Sequence, residues 1–342
     1  SLACCRGVLK DQNYGSLMVG GERPDAGSEP SHLFVSVQTL RSRKLWERFD
    51  PGFFEYIVVD EIHHAAASSY QEIFSCFRPK VLLGLTATPE RADGHSILPY
   101  FDGRIAAEIR LPEAIDRKLL CPFSYFGVTD EASLQGLRWR RGGYEDAELE
   151  RVYVFDERVA RRRASLIIDA VRSYVADISH VRGLGFCVSK AHARFMAERF
   201  REAGIKAEAV CADTDAATRK RAREKLAEGT LQFIFAVDIY NEGVDIPEID
   251  TVLFLRPTQS LTVFLQQLGR GLRLAPGKEC LTVLDFIGQQ DRRYDFTAKF
   301  EALLEPERDG LRSQIEKGFT AVPKGCSIQL EKLAQRYVLD NI

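Results

Sequence analysis

The chain has 342 residues, 45% of them hydrophobic and 28% charged. At roughly 150 residues per domain that length predicts about two globular domains, and the composition excludes a disordered or fibrous chain. Lys and Arg number 47 against 49 Asp and Glu, so no bulk field favours nucleic acid and any such contact must come from local placement of basic side chains.

Brief apolar runs at 17–19, 33–37, 56–59 and 81–85 have the length of strands buried on both faces of a parallel sheet. A second series follows at 122–128, 185–188, 207–210, 233–237, 251–255 and 281–286, with helical patterns at 190–203 and 215–228 between them. From 130 to 163 the pattern loosens around Gly136, Gly142 and Gly143. Arginines crowd there at 138, 140, 141, 158 and 161–163, as a solvated insertion with a charged helix start or as a stripe facing nucleic acid. Beyond Asp291 the sequence is charged and helical with no strand signal. No apolar run approaches the roughly 18 residues of a membrane span. The eight cysteines form no CxxC pair, which fits a reducing, cytoplasmic setting. The chain opens on Ser1 without a signal-peptide pattern and is expected to be cut from something longer.

The run 56–59 leads directly into Asp60-Glu61-Ile62-His63. In open parallel sheets ligands bind beyond the carboxyl ends of the strands, so Asp60 can hold Mg²⁺ through its water shell and Glu61 can orient or deprotonate a water. A bare acidic turn is the plain alternative. The run 81–85 ends in Thr86-Ala87-Thr88-Pro89, whose hydroxyls can bond phosphates or neighbouring carboxylates, or simply form a turn before proline. After 233–237 come Asp238 and then Gly243-Val244-Asp245, where Gly243 permits close backbone approach and Asp245 offers an acceptor to a ribose hydroxyl or an arginine. The segment 266–273, Gln-Gln-Leu-Gly-Arg-Gly-Leu-Arg, reads as a helix with Arg270 and Arg273 on one face, suited to phosphate oxygens or to ordinary salt bridges.

Taken in order, these segments resemble the motifs of the superfamily 2 helicases and translocases. Asp60-Glu61-Ile62-His63 resembles motif II, Thr86-Ala87-Thr88 motif III, 238–245 motif V and 266–273 motif VI. Ser36-Val37-Gln38 resembles the element that touches the nucleic-acid backbone, and 185–189 stands in the place of motif IV. The wording is nearest to the DExH group that includes restriction-enzyme motor subunits. The resemblance runs from about residue 31 to 286 and implies an α/β fold of two RecA-like parallel-sheet domains in tandem. These would be 1–110, truncated before its P-loop, and 111–290 with the Arg-rich insertion near 130–163, followed by a helical C-terminal extension, 291–342.

As cofactors it implies ATP and Mg²⁺, and as partner nucleic acid, DNA ahead of RNA, with no membrane. By resemblance, Asp60 and Glu61 serve the Mg²⁺ and the water, and Arg270 and Arg273 reach the γ-phosphate. His63, Thr86, Ala87, Thr88 and Gln266 couple nucleotide to nucleic acid. Gly243 and Asp245 contact the nucleotide, and Ser36, Gln38 and Asp238 the nucleic acid.

Two departures stand out. Val237-Asp238 replaces the Thr-Asp that opens motif V in many relatives, removing one hydroxyl for a backbone phosphate. Gly-Lys occurs once, at Gly277-Lys278, where Glu279 follows and Leu272 occupies the place of the first glycine, so the 342 residues hold no Walker A loop. The resemblance puts that loop upstream of residue 1. The chain as written is therefore expected to hydrolyse ATP poorly and, with its first sheet incomplete, to show lowered stability or an exposed apolar groove there. A non-catalytic nucleic-acid-binding scaffold of the same fold is the rival reading, against which the retention of Glu61, Arg270 and Arg273 argues.

Overall fold

The computed structural model describes residues 2–18, 31–62, 68–86, 97–140, 142–237, 246–306 and 309–342. The chain divides into two compact units, Ser1–Ala107 and Glu108–Ile342.

In the first unit the elements are α1 (Leu2–Leu9), β1 (Ser16–Met18), β2 (Leu33–Val35), α2 (Val37–Ser42), β3 (Tyr56–Val59), α3 (Ser68–Cys76) and β4 (Val81–Gly84). The run expected as strand to residue 37 stops at Val35, because the Ser36 hydroxyl accepts the Thr39 N–H and caps α2. Two parallel pairs result, β1 with β2 and β3 with β4. Strand alternation sends Val59 inward to Ile62 and Ile97, with Ile57 and Leu82 packed against them. The opposite face of the β3–β4 pair carries Tyr56, Val58 and Leu83, which stay 69%, 60% and 39% exposed.

The second unit is a seven-stranded, wholly parallel sheet. It begins with α4 (Leu111–Asp116) and the long β5 (Phe123–Ser133), then a small antiparallel hairpin, β6 (Trp139–Arg140) and β7 (Gly143–Tyr144). After α5 (Asp146–Glu150), a π-helical turn (Arg151–Phe155) and α6 (Glu157–Tyr174) come β8 (Gly183–Phe186), α7 (Lys190–Glu202), β9 (Ala207–Val210), α8 (Ala216–Glu228) and β10 (Phe233–Ala236). The remaining elements are β11 (Thr251–Phe254), α9 (Leu261–Gly271), β12 (Leu281–Gln289), α10 (Thr297–Glu301), α11 (Leu311–Lys317), β13 (Ser327–Leu330) and α12 (Lys332–Leu339). The strand order is β13-β5-β12-β11-β8-β10-β9.

Because successive side chains point to opposite faces, each central strand feeds two cores. Leu184, Ile234, Val252, Phe254 and Val283 pack on the α9 side, while Phe233, Phe235, Leu253 and Leu284 pack against α6 and α7. Gly183 and Gly185 on β8 make room for the Phe233 and Phe235 rings; a Cβ at either glycine would lie 2.1 or 2.5 Å from ring carbons.

One expectation is corrected here. The segment 291–342 is not a purely helical extension. It supplies edge strand β13, paired with β5, and it buries Tyr294, Phe296, Phe300, Ile315, Ile328 and Val338 in the α9-side core. Of the two readings of the Arg-rich stretch, the solvated insertion accords with the ion pairs of its described arginines. Arg138 and Arg140 meet Glu145, Arg151 meets Glu148, Arg161 meets Glu157, and Arg162 meets Glu131. Arg163 turns inward altogether, 3% exposed, against Asp130.

Candidate functional site

In the first unit the site begins where β3 ends. Val59 and the fully buried Ile62 bracket Asp60-Glu61, so the two acidic residues form a tight turn anchored at both ends by apolar side chains. Asp60 is exposed, and its Oδ1 accepts the Glu61 N–H at 3.0 Å. Glu61 has φ 51°, left-handed backbone that costs a residue other than glycine about 1–2 kcal/mol. The turn is tied to the end of β4: the Leu85 N–H donates to the Val59 carbonyl at 2.9 Å, and the Ile62 N–H donates to the Leu85 carbonyl at 3.0 Å. With Val59 registered against Gly84, Asp60 and Glu61 stand beside Thr86 at the carboxyl ends of adjacent parallel strands. An exposed carboxylate on a pinned turn is a hard oxygen donor of the kind that holds Mg²⁺ through one protein oxygen and several waters, so the donor chemistry fits that ion. Ser36 follows β2 as the cap of α2, donating its hydroxyl to Thr39 Oγ1 at 2.8 Å, and Gln38 is exposed in the first turn of that helix.

In the second unit α9 carries the basic residues. Ser260 caps it by accepting the Val263 N–H at 3.4 Å, and Thr262, Phe264, Gln267, Leu268 and Gly271 face the sheet. Gln266 and Arg270, four residues apart, lie half-buried on the same flank. The helix ends at Gly271, with Leu272 as its C-cap, so Arg273 stands in the turn beyond it. This corrects the expectation that Arg270 and Arg273 share one helical face. Gly271 seats the helix end directly on the sheet, where a Cβ would come within 2.4 Å of Leu281 Cδ1 and 3.1 Å of Val252 Cγ2. Beneath α9, the Tyr125 hydroxyl and the Lys299 ammonium both donate to Asp285 Oδ2, and Lys299 lies 4.8 Å from the centre of the Phe264 ring. Burial, with Asp285 beside it, pushes the Tyr125 hydroxyl well up from its usual range, so it stays a proton donor to the carboxylate.

A second buried polar group was invisible to pattern reading. Arg163 on α6 donates to Asp130 and to the Leu255 carbonyl at 2.9 Å, and lies 3.9 Å over the Tyr153 ring. Its Nη1 stands 3.4 Å from Nε2 of His192, the first-turn residue of α7 after the Ser189 cap. The network therefore joins the ends of β5, β8 and β11. Asp285 within an apolar strand, and an arginine on the apolar flank of α6, were the only signals available.

His63, Ala87, Thr88, Asp238, Gly243 and Asp245 lie outside the described residues. Asp60, Glu61 and Thr86 are brought together in the first unit, and Gln266, Arg270 and Arg273 in the second.

Residues 6–91 match the family model described as type III restriction enzyme, res subunit, and residues 167–275 match the helicase conserved C-terminal domain. The chain belongs to the superfamily 2 helicases and translocases. It is 31% identical over 325 residues to the helicase IRC3 of Saccharomyces cerevisiae, covering 93% of this chain and 45% of that one. To the EcoAI type I restriction endonuclease subunit of Escherichia coli it is 26% identical, covering 82% of this chain and 39% of that one. Among solved structures, a fragment of an HsdR subunit of a type I restriction enzyme from Vibrio vulnificus superimposes with a TM-score of 0.63 at 20% identity, over 95% of this chain and 56% of the other. The chain thus spans about half the length, or less, of these superfamily 2 relatives. Among the described residues no helix is long and apolar enough to cross a membrane.

Proposed function

We propose that this chain is the motor portion of an ATP-dependent nucleic-acid helicase or translocase. The observation that carries the reading is the Asp60-Glu61 turn, with Glu61 in left-handed backbone and the turn hydrogen-bonded to the end of β4 beside Thr86. Backbone strain of this kind persists where the surrounding structure fixes it, and it collects at sites that must present a side chain in one direction. Asp60 would hold Mg²⁺ through water, and Glu61 would orient and deprotonate the attacking water at its carboxylate. The ion's contribution is to neutralise charge on the phosphates. Arg270 and Arg273 act in the same hydrolysis step by stabilising transition-state charge, a role worth roughly 10³ to 10⁵ in rate for such arginines. Thr86 beside the acidic turn couples the nucleotide state to the strand, and Gln38 at the exposed start of α2 meets backbone phosphates, which position without specifying sequence.

DNA is the favoured partner, supported by the restriction-enzyme relatives. A reducing, cytoplasmic location is supported by all eight cysteines being free. The test is ATP hydrolysis by the full-length protein with single-stranded DNA, duplex DNA and RNA as stimulants. DNA should raise turnover above RNA; nucleic-acid binding without stimulation by any of the three would favour the scaffold.

A further inference from the structure

Lys278 follows the turn after α9, and in sequence it looked only like a failed phosphate-loop lysine. Gly277 turns the chain at φ 75°, and the Lys278 N–H closes the turn on the Ala275 carbonyl at 3.2 Å. The half-buried side chain then folds back beneath the end of α9. An ammonium has three N–H donors and no acceptor. Those of Lys278 meet three backbone carbonyls: Gly271 at the last turn of α9, Arg273 at 2.7 Å and Pro247 at 3.1 Å. Gly271 and Arg273 flank the C-cap Leu272, and Pro247 lies two residues after Asp245. The charge also sits at the carboxyl end of a helix, where the helix dipole favours a cation. Cys121 completes the anchorage, its N–H donating to the Leu272 carbonyl at 2.8 Å and its thiol to the Gly271 carbonyl at 3.5 Å.

We propose that Lys278 is a positioning residue whose ammonium ties the turn carrying Arg273 to the backbone just beyond Asp245, so that the two segments keep one fixed spacing. Only the kinetic consequence rests on the motor reading. With the tie in place, Arg273 starts from a preset backbone and pays no ordering cost when it meets the phosphate. Methionine at 278 keeps the aliphatic stem and removes the ammonium from all three carbonyls, leaving Gly271 only its contact with the Cys121 thiol; arginine keeps the charge on a planar fork that cannot reproduce three converging bonds.

The experiment compares wild type, Lys278→Met and Lys278→Arg in the full-length protein by amide hydrogen exchange and by steady-state ATP hydrolysis with DNA. In Lys278→Met the amides of Cys121, which is bonded to the Leu272 carbonyl, and of Ile249, two residues after Pro247, should exchange about tenfold faster while those of β8 and β10 stay within about twofold. The DNA-stimulated kcat should fall about tenfold or more with KM for ATP within about threefold, and Lys278→Arg should lie between. Unchanged exchange at Cys121 and Ile249 would overturn the tie, and wild-type kcat alongside faster exchange would overturn its positioning role. A wild-type protein without DNA-stimulated hydrolysis would sink the motor reading instead, and the exchange result alone would then decide the tie.

Discussion

Glu61 shows how much a single residue can reveal. Its φ of 51° is uncommon for a long side chain, yet Ile62 behind it is fully buried and the flanking N–H groups are bonded to Asp60 and Leu85. The fold therefore bears a backbone cost at this residue. Asparagine tolerates the left-handed region better than glutamate, so Glu61→Asn should raise the unfolding free energy of the first unit by up to about 1 kcal/mol while lowering turnover by about 10²-fold or more. Denaturant unfolding paired with an ATP assay checks both; a clear loss of stability would show that the strain assignment is wrong. The acidic pair was legible in the sequence because its chemistry sits at a strand end. The strained backbone was not, nor was the position of Arg273. The spacing 270–273 reads as one helical face, but Gly271 packed on Leu281 and the capture of the Gly271 and Arg273 carbonyls by Lys278 end the helix first. Both causes are contacts with residues outside the motif.

Two short strands were legible to the residue although neither is buried along its whole length. Tyr56–Val59 and Ala207–Val210 form at the expected residues. Strand β13 was missed because Ser-Ile-Gln-Leu is short, half polar and paired on one side only, which is how edge strands read. Helix α7 was visible and α6 only as a charged helix start, but the Asp130–Arg163–His192 network joining them to the strand ends was not. Burial, and then the Arg163 charge, hold the His192 pKa well below its ordinary 6.5. In the folded state the imidazole thus stays neutral, while the unfolded chain takes up a proton as pH falls through about 6.5. The sign follows directly: His192 subtracts stability below that pH, with a slope approaching about 1.4 kcal/mol per pH unit, and subtracts none above it. Urea unfolding of the second unit from pH 8 to 5 should show this slope in the wild type and a flatter profile in His192→Gln. Parallel profiles would mean that the imidazole is protonated in the native protein.

At the scale of the whole molecule, each unit has its own core, and the candidate acidic residues lie in the first and the candidate basic residues in the second. The family was legible across both because the stretches 6–91 and 167–275, one in each unit, carry its short signatures. The participation of 291–342 in the second core was hidden, since its contributions come one aromatic at a time, at Tyr294, Phe296, Phe300 and Phe319. The central claim is that Glu61 and Arg273, in separate units, serve one hydrolysis event. Its most direct test is the kcat of the full-length protein carrying Glu61→Gln, Arg273→Ala or both, with nucleic acid bound to saturation. Residues that act as a unit lose activity non-additively, so each single variant should fall by about 10³-fold or more and the double variant should lie within about threefold of the worse single. Near-normal turnover in either single variant, or losses that multiply in the double, would contradict the account.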